Sequence, residues 1–329
     1  MILCAGSFMC DLIAAHLPYV PGPGGLVYAP EGINLRTGGH AANVAIDLKQ
    51  LGEPRVAATG GVGEDALGDY MVETLRGHGV DAHPQQVKGY GTAKNVALIV
   101  EGEDKRFIAE LAANTMLSPD HVEAVIGELT PSAFYLGTVG GLRLIDPEIL
   151  RLLDAAHGAG ATTYLDVVMP FEKNWDHLRR ALSLVDVLHC NDAEAAAITG
   201  QEDPVEAARR ISDAGPALVV VTLGKDGLVA ATREATIMVP PFRVRQVDPT
   251  GAGDALCAGV IHAASARGLN RAELRRLDVE MARGILMEGQ AAGAACVTEV
   301  GATEGVTRER VDLLLKGQGA KVLAGARVL

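Results

Sequence analysis

Short apolar runs rich in β-branched residues alternate along this chain with longer stretches whose apolar positions recur every three or four residues. RVAATG precedes a helical pattern from Ala66 to Gly77, and SAFYLG precedes another from Pro147 to His157. ATTYLDVV, DVLHC and ALVVVTLG are further strand candidates. Strands that read as near-continuous apolar runs are buried on both faces, and their alternation with helices predicts crossover units around a largely parallel sheet. The expected fold class is α/β, a central mostly parallel sheet with helices on both faces.

Two stretches break this rhythm. Residues 12–37 hold the turn cluster PYVPGPGG, and within 91–110 the run KNVALIVEGEDKRFIAEL reads as two strands joined by a polar turn. Neither has a helix to cover it. They are expected either to pair into a small antiparallel sheet, a lid over the mouth of a site, or to remain ordinary surface hairpins. The C-terminal third is helical, with Ala-dense segments from Ala252 to Arg267 and from Arg271 to Ala295. With no repeat, low-complexity segment or long linker, residues 1–329 are expected to form one domain carrying that lid.

Composition narrows the function. A hydrophobic content of 48% can bury a large core, and 21% charged residues is too few for a disordered chain. The net charge of -12 repels a nucleic-acid backbone unless a local basic patch overrides it. The densest basic stretches, 271–276 and 308–310, are interrupted by Glu273 and Glu309, as on solvated helix faces. Cys4, Cys10, Cys190, Cys257 and Cys296 are odd in number and widely spaced, which fits reduced core residues better than a disulfide framework. The N-terminus has no basic leader, and no apolar run approaches the roughly 20 residues a membrane helix needs. A soluble cytoplasmic protein that binds neither nucleic acid nor membrane is expected.

The most informative segment is VDPTGAGDALCAGVIHAAS. Gly251, Ala252 and Gly253 lead into a helix whose first turn carries Asp254. Small residues at a helix start expose backbone N–H groups that bind anions without a basic side chain, and a carboxylate beside them can accept a proton from an attacking hydroxyl. The same residues also fit a tight turn with a capping Asp. In TGGHAANVAIDLKQLG, Gly38 and Gly39 precede a helix from about Ala41 to Leu51 whose first turn carries Asn43. The Asn43 amide can exchange hydrogen bonds with polyol hydroxyls, or act as a local cap. Neither GxxxxGK[ST] nor GxGxxG occurs, so P-loop and Rossmann dinucleotide readings lose support.

TGGHAANVAIDLKQLG and DPTGAGDALCAGVI together resemble the N-terminal and C-terminal signatures of the ribokinase-like (PfkB) carbohydrate kinase family, in the expected order and separation. GGVGEDALGDYMVETLRGHGVD, HCNDAEAAAITG, VVVTLGKDGLVA and GAACVTEVGATEG extend the resemblance over nearly the whole chain. It implies an ATP-dependent phosphotransferase acting on a hydroxyl of a small sugar or polyol. Asp254 is then the general base, and the amides of Gly251, Ala252 and Gly253 an anion hole. Asn191 and Glu194 match the family's NxxE motif, whose carboxylate helps organise Mg2+ through water. Thr222, Gly224 and Gly227 match a nucleotide-binding turn, and Gln290 a polar position near adenine. Asp11, Gly38, Gly39 and Asn43 would form the acceptor floor. Family members also bind a monovalent cation such as K+ near Asp248, and their lids often pair into homodimers.

The chain departs from the family in two places. Ribokinases proper resemble GGKGANQA where this chain has GGHAANVA, and LDVVMPFEKNW matches neither the DPNxR-like nor the NPAP-like run of relatives. Both departures argue against ribose. His40 is expected to cap or pack and stays outside the catalytic set, and Trp175 is expected to pack. The alternatives are a nucleoside kinase of the same family, a kinase of an already phosphorylated sugar using Arg36, Lys94 and Arg106, and a non-catalytic sugar-binding regulator on the same fold.

Overall fold

The computed structural model describes residues 1–100, 106–170 and 174–329. The polar turn expected between the two strands of 91–110, and part of the divergent run after Asp166, lie outside the described residues.

The apolar runs form a ten-stranded sheet. From one edge its order is Arg327–Val328, Thr236–Val239, Leu228–Thr232, Leu218–Thr222, Val187–Asn191, Thr162–Val167, Ala133–Val139, Ile2–Ala5, Val56–Thr59 and Asp81–Ala82. Pairing is parallel from Leu218–Thr222 to Asp81–Ala82 and antiparallel through the three strands at the other edge. Alternate side chains of each strand enter opposite cores. Ile2 and Cys4 pack with the helices His40–Gln50, Ala252–Ala266 and Val279–Cys296, whereas Leu3 and Ala5 pack with Pro119–Leu129, Ile149–Gly158 and Pro204–Asp213. Trp175 is buried in the second core.

The two helix-free stretches supply a separate four-stranded sheet, ordered Ile33–Gly38, Met9–Leu17, Lys94–Val100, Arg106–Glu110. Its central pair, Met9–Leu17 with Lys94–Val100, is parallel, not antiparallel as the local pattern suggests. The intervening chain enters the large sheet and returns by a crossover, as parallel pairing requires. The expected helix over 271–295 is two, Arg271–Leu274 and Val279–Cys296, because Asp278 turns out of the helix and caps the second by accepting from the Met281 amide.

Ala252–Ala266 and Val279–Cys296 lie against each other through glycines. A methyl added at Gly259 would come within 2.7 Å of the Gly289 Cα and 2.8 Å of the Glu288 carbonyl oxygen, so only hydrogen permits this approach. Gly259→Ala should therefore lower the stability read from a denaturant midpoint by about 1–3 kcal/mol. Gly158→Ala, where an added methyl meets nothing within 4 Å, should be neutral or raise stability by up to about 1 kcal/mol.

Candidate active site

The helix Ala252–Ala266 starts at Gly251, whose backbone is left-handed at φ 79° and whose side-chain position is filled by Ala302, with the carbonyl oxygen 2.4 Å from where a Cβ would sit. No side chain caps this helix. Its first-turn amides therefore face outward at the end of the parallel strands. One of the three expected anion-hole amides is otherwise engaged, since the Ala252 N–H donates to the Pro249 carbonyl at 3.3 Å.

Two cavities meet at this turn. One of about 820 Å3 is lined by Thr222, Gly224, Gly227, Leu228, Phe242, Leu256 and Gln290, with Lys225 and Arg243 among its polar groups. The other, of about 280 Å3, is lined by His40, Asp166, His189, Glu194, Gly251 and Asp254. Asn191, Thr222, Pro249, Ala252 and Gly253 border both. Of the residues expected around a nucleotide, Asn191, Thr222, Gly224, Gly227 and Gln290 thus line the larger cavity, whereas Glu194 lines the smaller one with Asp254.

Asp254 is buried. Asn43 donates its Nδ2 to Asp254 Oδ2 at 2.7 Å, while Asp254 Oδ1 is buried without a hydrogen-bond partner. Asn43, expected to dock a polyol, gives one N–H to the carboxylate, and its Oδ1 is buried without a partner. Burial raises the Asp254 carboxyl above its ordinary value, with the positive charge of His40 acting against it.

His40 and Asp166 stand together beside Asp254, a grouping that the sequence did not place. His40 Nδ1 lies 3.1 Å from Asp166 Oδ2 and 3.4 Å from Asp254 Oδ1. Asp166 also accepts from His189 Nδ1 at 2.7 Å and from the Tyr135 hydroxyl at 3.1 Å. Burial works to raise Asp166, but the charges and donors of His189 and His40 hold it well below the usual carboxylate range. Burial would likewise depress His40, yet Asp254 and Asp166 push it up to about 10, so it is an imidazolium at neutral pH. The residues stand 126 positions apart, and no local spacing reveals them. The available signal was that both fall in the segments that depart from the family pattern.

At the helix start 192–199, Asn191 Oδ1 accepts from the Glu194 amide and Glu194 Oε2 accepts from the Asn191 amide, both at 2.8 Å. This capping box leaves Glu194 Oε1 outside it, on a side chain that lines the Asp254 cavity. Gln290 donates to the Val239 carbonyl at 3.4 Å, and its Oε1 is buried without a partner. The expected TLGKDG hairpin is present, its corner a short 3-10 turn over Gly224–Asp226. Asp248 accepts from the Thr250 and Gly301 amides at 2.8 and 3.1 Å, tying the segment before the GAGD turn to the loop after Cys296.

Asp11, on the small sheet, fills the space beside Gly38, where a Cβ would lie 2.3 Å from its Oδ2, and Gly39 is held at φ 90° against the Ser7 carbonyl. Burial pushes Asp11 up to about 6, with the negative charges of Asp248, Asp254 and Glu304 adding to the rise and a hydrogen bond to Asn95 opposing it. The folded state therefore keeps a proton that the unfolded chain loses between about pH 4 and pH 6. Ionising Asp11 costs stability as pH rises through that window. Asp11→Asn should accordingly raise stability at pH 7.5 by on the order of 2 kcal/mol, and the gain should shrink as pH falls toward 5, as read from denaturant midpoints at the two pH values.

Comparison with known proteins places the chain in a family and a fold. The family described as pfkB family carbohydrate kinase matches residues 1–309. A fructokinase of Klebsiella pneumoniae is 28% identical over 79% of this chain and 84% of its own length, and a ribokinase of Haemophilus influenzae is 26% identical over 94% and 95%. Among solved structures, a fructokinase of Xylella fastidiosa with bound ATP superposes with a TM-score of 0.80 at 24% identity, covering 97% of this chain and 98% of that one. The ribokinase-like fold is thereby shown. Among the described residues, no helix is long and apolar enough to cross a membrane.

Proposed function

The chain belongs to the pfkB family of carbohydrate kinases, and from that premise we propose that Asp254 is the general base that activates a hydroxyl of a neutral, single-ring sugar or a comparable polyol. The observation that carries this reading is the meeting of two cavities at one uncapped helix start, with a buried carboxylate oxygen that lacks a partner on the smaller side. ATP, which the Xylella structure holds, would occupy the larger cavity, its adenine against Leu228, Phe242 and Leu256 near Gln290 and its phosphates toward the turn. The first-turn amides stabilise charge on the transferred phosphoryl group, and Asp254 Oδ1 takes the hydroxyl proton. Glu194 offers a hard oxygen donor suited to Mg2+, held through water; when bound, the ion supplies charge neutralisation at the phosphates.

Several features favour a neutral acceptor. The smaller cavity is rich in carboxylates, and Arg36 is paired with Glu304 at 3.0 Å and Lys94 with Glu110 at 2.5 Å. A phosphorylated sugar would meet repulsion there. At about 280 Å3 the cavity falls below the roughly 300 Å3 floor of sites for drug-sized ligands, which suits one ring better than a nucleoside. Asp11, beside Gly38, would accept hydroxyls from the small sheet, which serves as the lid.

A coupled ADP-release assay across neutral sugars, polyols, sugar acids, sugar phosphates and nucleosides should give its highest kcat/KM with a neutral sugar or polyol. With that acceptor, Asp254→Asn should lower kcat by about 10^2- to 10^4-fold with ATP affinity retained. Turnover near the wild-type rate in this variant would remove Asp254 from the role. The segments tied by Asp248 offer backbone carbonyls to a monovalent cation such as K+. Exchanging K+ for a bulky quaternary ammonium ion at constant ionic strength should lower activity severalfold, and an unchanged rate would reject the site.

A further inference from the structure

The two departures from the family pattern meet in space. His40, at the start of the helix His40–Gln50, and Asp166, in the strand Thr162–Val167, hydrogen-bond at 3.1 Å beside the Asp254 carboxylate. Both groups facing His40 Nδ1 are carboxylates that only accept, so that nitrogen carries the hydrogen. The ring has a prepared place. The His40 amide donates to Ser7 Oγ at 3.1 Å, Ser7 Oγ lies 2.6 Å from Thr138 Oγ1, and a Cβ on Gly137 would come within 2.6 Å of the His40 Cβ. Asp166 is fixed in turn by His189 and Tyr135. The two oxygens of Asp254 are thereby made unequal. Oδ2 is held by Asn43 at 2.7 Å, whereas Oδ1 has no hydrogen-bond partner and faces His40 across 3.4 Å.

We propose that His40 is a positioning residue for the base: clamped by Asp166, its imidazolium keeps Asp254 ionised and its Oδ1 free for the acceptor hydroxyl. In the transfer, the acceptor O–H gives its proton to Oδ1, the acceptor oxygen bonds to the γ-phosphorus, and the bond from that phosphorus to the bridging oxygen breaks, releasing ADP. His40 exchanges no proton. Its charge matters because of what else surrounds Asp254. Besides His40, the ionisable groups that interact with its charge are Asp11 from the small sheet, Asp47 from the His40 helix, Tyr135, Asp166 and His189 from the large sheet, Cys257 on its own helix and Cys296 on the packed helix Val279–Cys296. Only the two histidines among these and His40 can be positive, and His40 is the one within 4 Å of the carboxylate.

This inference rests on Asp254 being the base, and the two can fail separately. The test is the pH dependence of kcat at saturating ATP and acceptor for wild type, His40→Gln, His40→Asn and His40→Lys, each first checked for an intact thermal transition. Removing the neighbouring cation raises the Asp254 pKa, so the acid limb in His40→Gln should move up by about one pH unit. Below that limb kcat should fall about ten-fold, recovering toward wild type at high pH, with the KM for ATP unchanged. His40→Lys should restore the limb, and His40→Asn, a second neutral variant, should shift it in the same direction as His40→Gln. If His40→Gln does not fold, His40→Asn and His40→Lys still give the comparison. An unmoved limb in both His40→Gln and His40→Asn overturns the proposal, as does a loss confined to the acceptor KM, which would make His40 a sugar contact. If Asp254→Asn is inactive while His40→Gln behaves as wild type, the base assignment survives and only this inference falls.

Discussion

The site depends on one electrostatic arrangement, a helix that starts without a capping side chain next to a carboxylate that has little water around it. The first turn of Ala252–Ala266 presents unsatisfied amides and the positive end of the helix dipole to the junction of the two cavities. Asp254 lies in that same turn, where the dipole favours its charge and burial opposes it. A capping Ser or Asp at position 251 would gain about 1 kcal/mol of helix stability and occupy the amides that a phosphoryl group needs. The left-handed Gly251, pressed against Ala302, excludes any such side chain. On the proposed reading, local stability is given up to leave an anion site open.

Such an end is useful only if it cannot drift, and the packing behind it supplies the rigidity. Gly259 and Gly289 bring two long helices to backbone contact, and Gly293 sits where a methyl would be 3.0 Å from the Ala252 carbonyl oxygen. Cys296 lies 3.1 Å from the Ala302 carbonyl and 3.3 Å from the Thr250 carbonyl as donor to both, while Asp248 ties the same two segments through their amides. Buried cysteine therefore acts here as a small core residue with a weak donor, and burial raises its thiol far from reactivity. The core and the catalytic turn are mechanically one unit.

This explains which parts were legible in the sequence. The strands could be read because a sheet buried on both faces demands continuous apolar runs, and the GAGD turn could be read because helix-start chemistry is local. Parallel pairing inside the small sheet could not be seen, since Met9–Leu17 and Lys94–Val100 become neighbours only after the intervening chain has crossed the large sheet. The contact of Asn43 with Asp254 was hidden for a similar reason. Its residue type suited a sugar contact, but its partner Asp254 lies 211 positions away, and only the fold assigns the donor. His40, Asp166 and His189 come from a helix and two different strands, so their shared network has no signature along the chain. What remained visible was a departure from expectation at each segment, without the reason for it.

On the proposed reading, the charges around the turn also explain how one small region would receive two substrates of different character. On the nucleotide side stand the helix amides, Lys225 and Arg243; on the acceptor side stand Asp254, Asp166 and Glu194, with His40 and His189 between them. A polyphosphate is drawn to the first face and repelled by the second, whereas a neutral polyol finds in the second face acceptors for its hydroxyl hydrogens. Bringing either set of charges closer to the other would lose this separation, because Coulomb interactions strengthen in a site shielded from water. The imidazolium of His40 stands where the carboxylates crowd, and with Asp166 it forms a pair of zero net charge beside a base that must stay negative. On that reading, selectivity for the acceptor and readiness of the base would follow from the same distribution of charge.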